Sequence, residues 1–231
     1  PYSPPLSLST YRFILRRTGS GVYSYSLLMR SADPEQGGGF APVLRGTSRV
    51  RRLDDGSWSM SQAQLELRFD VAAGIDPILT NSGTITIDFA SDDKGWQREG
   101  LRLDGFFDAR GGMAAPRSGE LSYERAPDGV GSLRYDLTRD IHADFETKVD
   151  LPAQEHWSVN VRWRPEGAGR ADVLVTGGDL SGMRLPVESW SVSECWDSLF
   201  DPGWRATTLR FLDGSPDWSD RALGEPGACP F

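Results

Sequence analysis

Few residues in this 231-residue chain have the types and spacing to do chemistry. Cys195 stands in ESWSVSECWDSLF (188–200), between Glu194 and Trp196 and among serines, so a nucleophile with helpers is the first chemistry to weigh. A catalytic thiolate needs a histidine, a cation or a helix N-terminus to lower its pKa. Glu194 and Asp197 are anionic and act in the opposite direction. The second cysteine, Cys229, lies in a Gly- and Pro-rich tail that nothing else in the sequence anchors, and Cys195 and Cys229 therefore read as a disulfide rather than a reactive thiol and a spare.

The only imidazoles are His142, in the turn-like RDIHAD, and His156, at the start of an alternating run; neither belongs to a close-spaced ligand motif, and both read as structural or solvated. No G-x-S-x-G elbow is present for a serine hydrolase, and no spacing of carboxylates singles out a pair for glycoside cleavage. In DGSPDWSD, Asp213, Ser215 and Asp217 alternate with Ser219 and Asp220 behind them, an oxygen-rich run that makes Asp213, Asp217 and Asp220 a calcium candidate. The glycine is at 214 instead of the sixth loop position, the twelfth holds no glutamate, and Pro216 interrupts, so a solvated turn is the better reading. No cofactor or resident metal is expected.

Eight tryptophans are many for this length. Trp157 and Trp163 share parity with Val159 and Val161, and Trp190 and Trp196 are linked through Val192, which places these rings on an inward face. Trp96, Trp204 and Trp218 fall in segments that read as loops, where a ring can stack on a sugar or an apolar ligand. The candidate ligand-contact set is Trp157, Trp163, Trp190 and Trp204.

The elements that must position these side chains are strands. From about residue 20 the apolar pattern has period two, with Gly, Asp and Pro marking turns. Tyr23, Tyr25 and Leu27 alternate with serines; Leu65, Leu67 and Phe69 with Glu66 and Arg68; Ile85, Ile87 and Phe89 with Thr84, Thr86 and Asp88. The same alternation runs through 101–107, 119–125, 131–137, 144–151, 156–164, 170–178 and 187–196, with a weaker run at 41–50. That makes about ten or eleven strands. The one helical candidate, SQAQLELRFDVAAG (61–74), reads as strand followed by a single turn near 70–73. Short connections cannot make parallel crossovers, so the expected fold is all-β, an antiparallel up-and-down meander curled into a barrel or half-barrel, with a two-layer sandwich as the alternative. The expected organisation is a single domain over 1–231, with an N-terminal extension at 1–20 and an irregular, disulfide-anchored tail at 197–231 in which only ATTLRFL (206–212) reads as regular structure.

A hydrophobic fraction of 38% supports a core, while a net charge of −8 without basic blocks argues against nucleic acid and anionic membrane surfaces. No apolar run is long enough for a transmembrane helix, and PYSPPLSLST carries no leader signature. A membrane barrel is disfavoured because Glu66, Arg68, Asp88 and Arg162 would have to face lipid or fill a lumen, and GEPGACP before Phe231 is not a strand.

At GAGRADVLVTGGDL (167–180), SECWDSLF (193–200) and the closing Cys229 and Phe231, the last third of the chain resembles a group of uncharacterised exported bacterial proteins, often lipoproteins, with a Glu-Cys-Trp-Asp block and a terminal cysteine. The resemblance implies export to the cell envelope or exterior, a Cys195–Cys229 bridge, and a lipidated cysteine on a tether ahead of Pro1 in the full-length protein. It supplies no activity. The leading expectation is a non-enzymatic envelope or secreted protein that binds an apolar ligand or an envelope protein. A surface interaction module without a small-molecule site is one alternative, and a sugar-binding or hydrolytic domain is another.

Overall fold

The computed structural model describes residues 9–33, 38–108, 116–139, 153–182 and 186–229. Among the described residues there are thirteen strands: β1 (Ser9–Gly19), β2 (Val22–Ser31), β3 (Ala41–Arg52), β4 (Trp58–Arg68), β5 (Asn81–Ser91), β6 (Gln97–Asp108), β7 (Arg117–Arg125), β8 (Gly131–Arg139), β9 (Glu155–Trp163), β10 (Gly169–Gly177), β11 (Val187–Trp196), β12 (Pro202–Phe211) and β13 (Trp218–Leu223). They follow one another in sequence order in one sheet, and every described pairing is antiparallel. The order ends at β1 and β13, so the sheet is not closed. The all-β antiparallel meander is as the period-two pattern requires.

Two boundaries differ from the sequence reading. Residues 9–19, taken as part of an extension, are β1, whose Tyr11, Phe13 and Leu15 alternate and pair with Met29, Leu27 and Tyr25. The tail after Trp196 is more regular than expected: β12 covers the ATTLRFL run and extends it back to Pro202, and β13 follows. Gly203, Pro202 and the 212–217 turn dilute the alternation there, but the backbone of β11 offers a free edge that recruits the segment. The strand expected at 144–151 lies outside the described residues, as do His142 and Phe231.

The chain divides into two compact units, one formed by 1–93 with 97–118 and the other by 94–96 with 119–231. In the first, α1 (Phe69–Ile75) follows β4 directly; Ala72 and Ala73 favour helix, Asp70 sits in the first turn where the dipole favours an anion, and the Asp76 N–H closes on the Ala72 carbonyl at 2.9 Å. This is the single turn the sequence promised, lengthened to seven residues. It rests against β2, β3 and β5. In the second unit, a 3-10 turn at Leu180–Gly182 joins β10 to β11, and Val175, Leu180 and Val187 form a buried cluster with Trp157, Val173, Trp190, Leu209 and Phe211 around it.

Candidate functional site

Strand register converts the alternation into rows of side chains running across each unit. In the first, Phe13, Leu27, Leu44, Leu67, Ile85 and Leu103 are successive partners, as are Leu15, Tyr25, Gly46, Leu65, Ile87 and Leu101. In the second, Leu121, Tyr135, Val159, Val173, Val192 and Thr207 make one row, and Gly119, Leu137, Trp157, Val175, Trp190 and Leu209 the next. Each unit thus has an apolar face six strands wide. In the first unit it is not covered like an ordinary core. Ile87, fifth in its row between Leu65 and Leu101, is 37% exposed, and Tyr11, Phe13 and Leu15 on the edge strand β1 are more than half exposed.

The apolar faces are buried mainly toward the helical turns. Met29, which shares its face with Leu27, is 1% exposed in β2, one of the strands α1 touches; Val175, Leu180 and Val187 are equally covered in the second unit. Buried acids lie close to both turns. Asp76 accepts the Ser9 hydroxyl at 2.8 Å and the Ile78 N–H at 3.1 Å. Glu155 is wholly buried and accepts the Asp179 N–H at 3.1 Å. Gly177 and Gly178 have φ of 74° and 57°, and a Cβ at Gly178 would stand 2.4 Å from the Glu155 carboxylate, so this close approach requires glycine.

Aromatic rings fill gaps left by strand glycines. The Tyr25 ring lies over Gly46, the Trp163 ring over Gly131 and the Trp196 ring over Gly169; the Trp196 indole N–H also donates to the Gly167 carbonyl at 2.8 Å. Trp163 stacks with Tyr123 at 5.7 Å, and Trp157 meets Trp190 edge-on at 6.5 Å. Trp157, Trp163 and Trp190 of the candidate set therefore share a face. Trp204 does not. It belongs to β12, opposite Cys195, on the other side of the sheet, where it is buried beneath the Arg170 guanidinium at 5.5 Å. Trp204 and Trp218 are strand residues, not loop residues.

The opposite faces are polar. An open hollow of about 370 Å³ in the first unit is lined by Ser24, Ser26, Arg45, Gln64, Glu66 and Thr86. One of about 530 Å³ in the second is lined by Ser122, Arg134, Asn160, Arg162 and Asp172 among others. Arg134 and Asp172, which line the second hollow, are both partnered. The Arg134 hydrogen bond, at 2.7 Å, holds Asp136 below the usual carboxylate range, helped by Ser158 and by His156 at 3.7 Å. For Asp172, burial pushes the pKa up, but hydrogen bonds from Arg170 and Ser193 outweigh it and the net direction is down. In a Ser-His-Asp triad the imidazole stands between hydroxyl and carboxylate. Here Asp136 stands between Ser158 and His156, so the order of a triad is not reproduced.

Cys195 and Cys229 form a disulfide with Cα atoms 5.7 Å apart, which removes Cys195 from any nucleophilic role. The calcium candidates are not gathered: Asp213 accepts the Ser215 N–H at 2.9 Å in a turn, Asp217 is 3.7 Å from Arg210, and Asp220 pairs in register with Thr207. Among the described residues, no group of three or more His, Cys, Asp or Glu side chains is placed to hold a metal ion, and no helix is long and apolar enough to cross a membrane. Sequence reasoning missed Glu155, Asp179 and Asp76; the Gly-Gly-Asp of 177–179 was the available signal for a tight backbone approach.

No family model matches the chain, and no curated protein or solved structure is significantly similar to it.

Proposed function

We propose that the chain is a non-enzymatic protein of the cell envelope or exterior that binds apolar ligand on the apolar face of its sheet. The observation that carries this reading is an apolar face six strands wide on which Ile87, between Leu65 and Leu101 in its row, is accessible where a packed core would have buried it. Burying apolar surface is worth roughly 25 cal/mol per Å², so a face of this kind is a standing driving force for a ligand with alkyl or aromatic surface. The Cys195–Cys229 bridge fits an oxidising compartment and supports the assignment outside the cytoplasm.

Two measurements test it. Native mass spectrometry of protein purified from its own host is expected to reveal a co-purifying lipid or other apolar molecule. Titration with 1-anilinonaphthalene-8-sulfonate is expected to give saturable fluorescence that Ile87→Asn weakens, with the fold intact by circular dichroism. A bare mass together with no saturable dye binding overturns the reading.

A further inference from the structure

Of the two strands that end the sheet order, β13 is short and β1 is long. β13 has six residues, Trp218–Leu223, and shortness is one of the ways a sheet edge is kept from pairing with another chain. β1 has eleven, Ser9–Gly19, and among the described residues it pairs with β2 on one side and with no strand on the other. Its apolar side chains are open as well: Tyr11 is 51%, Phe13 62% and Leu15 59% exposed, whereas Met29, opposite Tyr11, is 1% exposed. Arg12 does not shield the edge. Its guanidinium lies 4.3 Å from the centre of the Phe40 ring, so it leans across β2 toward the segment that precedes β3.

The residues of β1 are self-complementary about Phe13. Two copies of a strand related by a two-fold axis normal to the sheet run antiparallel and keep their faces continuous, so residues of like parity stand opposite each other. With Phe13 facing Phe13 of the second copy, Tyr11 faces Leu15, and all three exposed side chains of that face gain an apolar partner. In the same register Arg12 faces Ile14, Arg16 faces Thr10 and Arg17 faces Ser9, so no arginine opposes another. Arg17 is thereby brought alongside the residue whose hydroxyl donates to the Asp76 carboxylate at 2.8 Å. The neighbouring registers lack this fit. Centred on Arg12, the pair sets Arg12 against itself; centred on Ile14, it sets Arg12 against Arg16. Like charges directly opposite are destabilising, whereas a central aromatic pair is favourable.

We infer that the chain forms a two-fold dimer through β1, with β1 of the second copy covering Tyr11, Phe13 and Leu15. The dimer joins two sheets edge to edge and carries the apolar face of the first unit across the axis. Ile87 lies on β5, four strands away, and stays open, so the dimer and the ligand binding proposed above are separable and either can fail alone.

Sedimentation velocity of the full chain over a dilution series is expected to show a monomer–dimer equilibrium. Phe13→Asp is expected to hold the chain monomeric throughout, with circular dichroism unchanged because the side chain is exposed in the monomer. Cysteine cross-linking reads the register, since directly opposed residues of an antiparallel pair have Cα atoms about 4.5–5.5 Å apart, within reach of a disulfide. Under mild oxidation Phe13→Cys is expected to give a reducible covalent dimer, and Tyr11→Cys and Ile14→Cys are not. A monomer at every concentration overturns the inference, as does a dimer that survives Phe13→Asp. A dimer lost in Phe13→Asp but cross-linked through Tyr11→Cys or Ile14→Cys in place of Phe13→Cys overturns the register.

Discussion

Asp172 is a residue on which burial and hydrogen bonding pull in opposite directions. Burial raises its pKa, while Arg170, bonded through two nitrogens, and the Ser193 hydroxyl lower it further, so in the fold it titrates below the ordinary value of 3.8. A carboxyl whose folded pKa is depressed stabilises the fold above its unfolded pKa and loses that contribution as pH falls through the folded one. Asp172→Asn is therefore expected to flatten the acid limb of the stability profile below about pH 4, measured by urea denaturation at a series of pH values. Gly46 is a second residue with a sharp expectation. A Cβ there would stand 2.2 Å from the Tyr25 ring, which must leave its place over β3 and its bond to the Gln64 carbonyl. Gly46→Ala should cost about 1–3 kcal/mol by overpacking, and the same change at Gly39, where a Cβ meets nothing within 4 Å, should cost far less.

Among the elements, the short helical turns matter out of proportion to their length. Leu180 is the apolar contact of its turn, set among Val175 and Val187 and flanked by Trp157 and Trp190. Leu180→Ala is expected to destabilise by roughly 2–4 kcal/mol and to perturb the near-ultraviolet circular dichroism of the tryptophans, because truncation opens a cavity beside two indoles. The Cys195–Cys229 bridge joins the end of β11 to the segment beyond β13 across 34 positions. In the chain-entropy account, closing a loop of that size stabilises by roughly 4 kcal/mol. Mild reduction should lower the urea midpoint accordingly, and proteolysis of the reduced protein should cut first after β12.

For the whole molecule, the balance of 33 acidic against 25 basic side chains sets the response to pH. Below about pH 3 the carboxylates become neutral while lysines and arginines stay charged, so self-repulsion grows as Asp136 and Asp172 lose the charge that pairs them with arginine. Loss of tryptophan near-ultraviolet signal on acidification, with its recovery on return to neutral pH, is the expected outcome. Retention of the full signal at pH 2 would show that these pairs and the charge balance matter little.

Local alternation determined most of the architecture before any contact was known. Side-chain parity is a property of one strand, so Tyr25 and Leu27, or Val159 and Val161, sort to a face from sequence alone, and short connections make neighbouring strands antiparallel. The cysteine pairing was also legible, because two thiols in a chain with a loose tail have one structural use. Parity cannot say which residues of distant strands meet. The six-residue rows and the rings over Gly46, Gly131 and Gly169 depend on register, which tertiary pairing fixes. Trp204 shows the limit most clearly. The Pro202–Gly203 irregularity broke the alternation that would have revealed β12, and only pairing with β11 placed the ring beside Cys195 and Arg170 instead of with Trp157. The buried carboxylates of Glu155 and Asp179 were invisible for the same reason: a charge in a sequence reads as surface until the fold supplies backbone N–H groups to hold it.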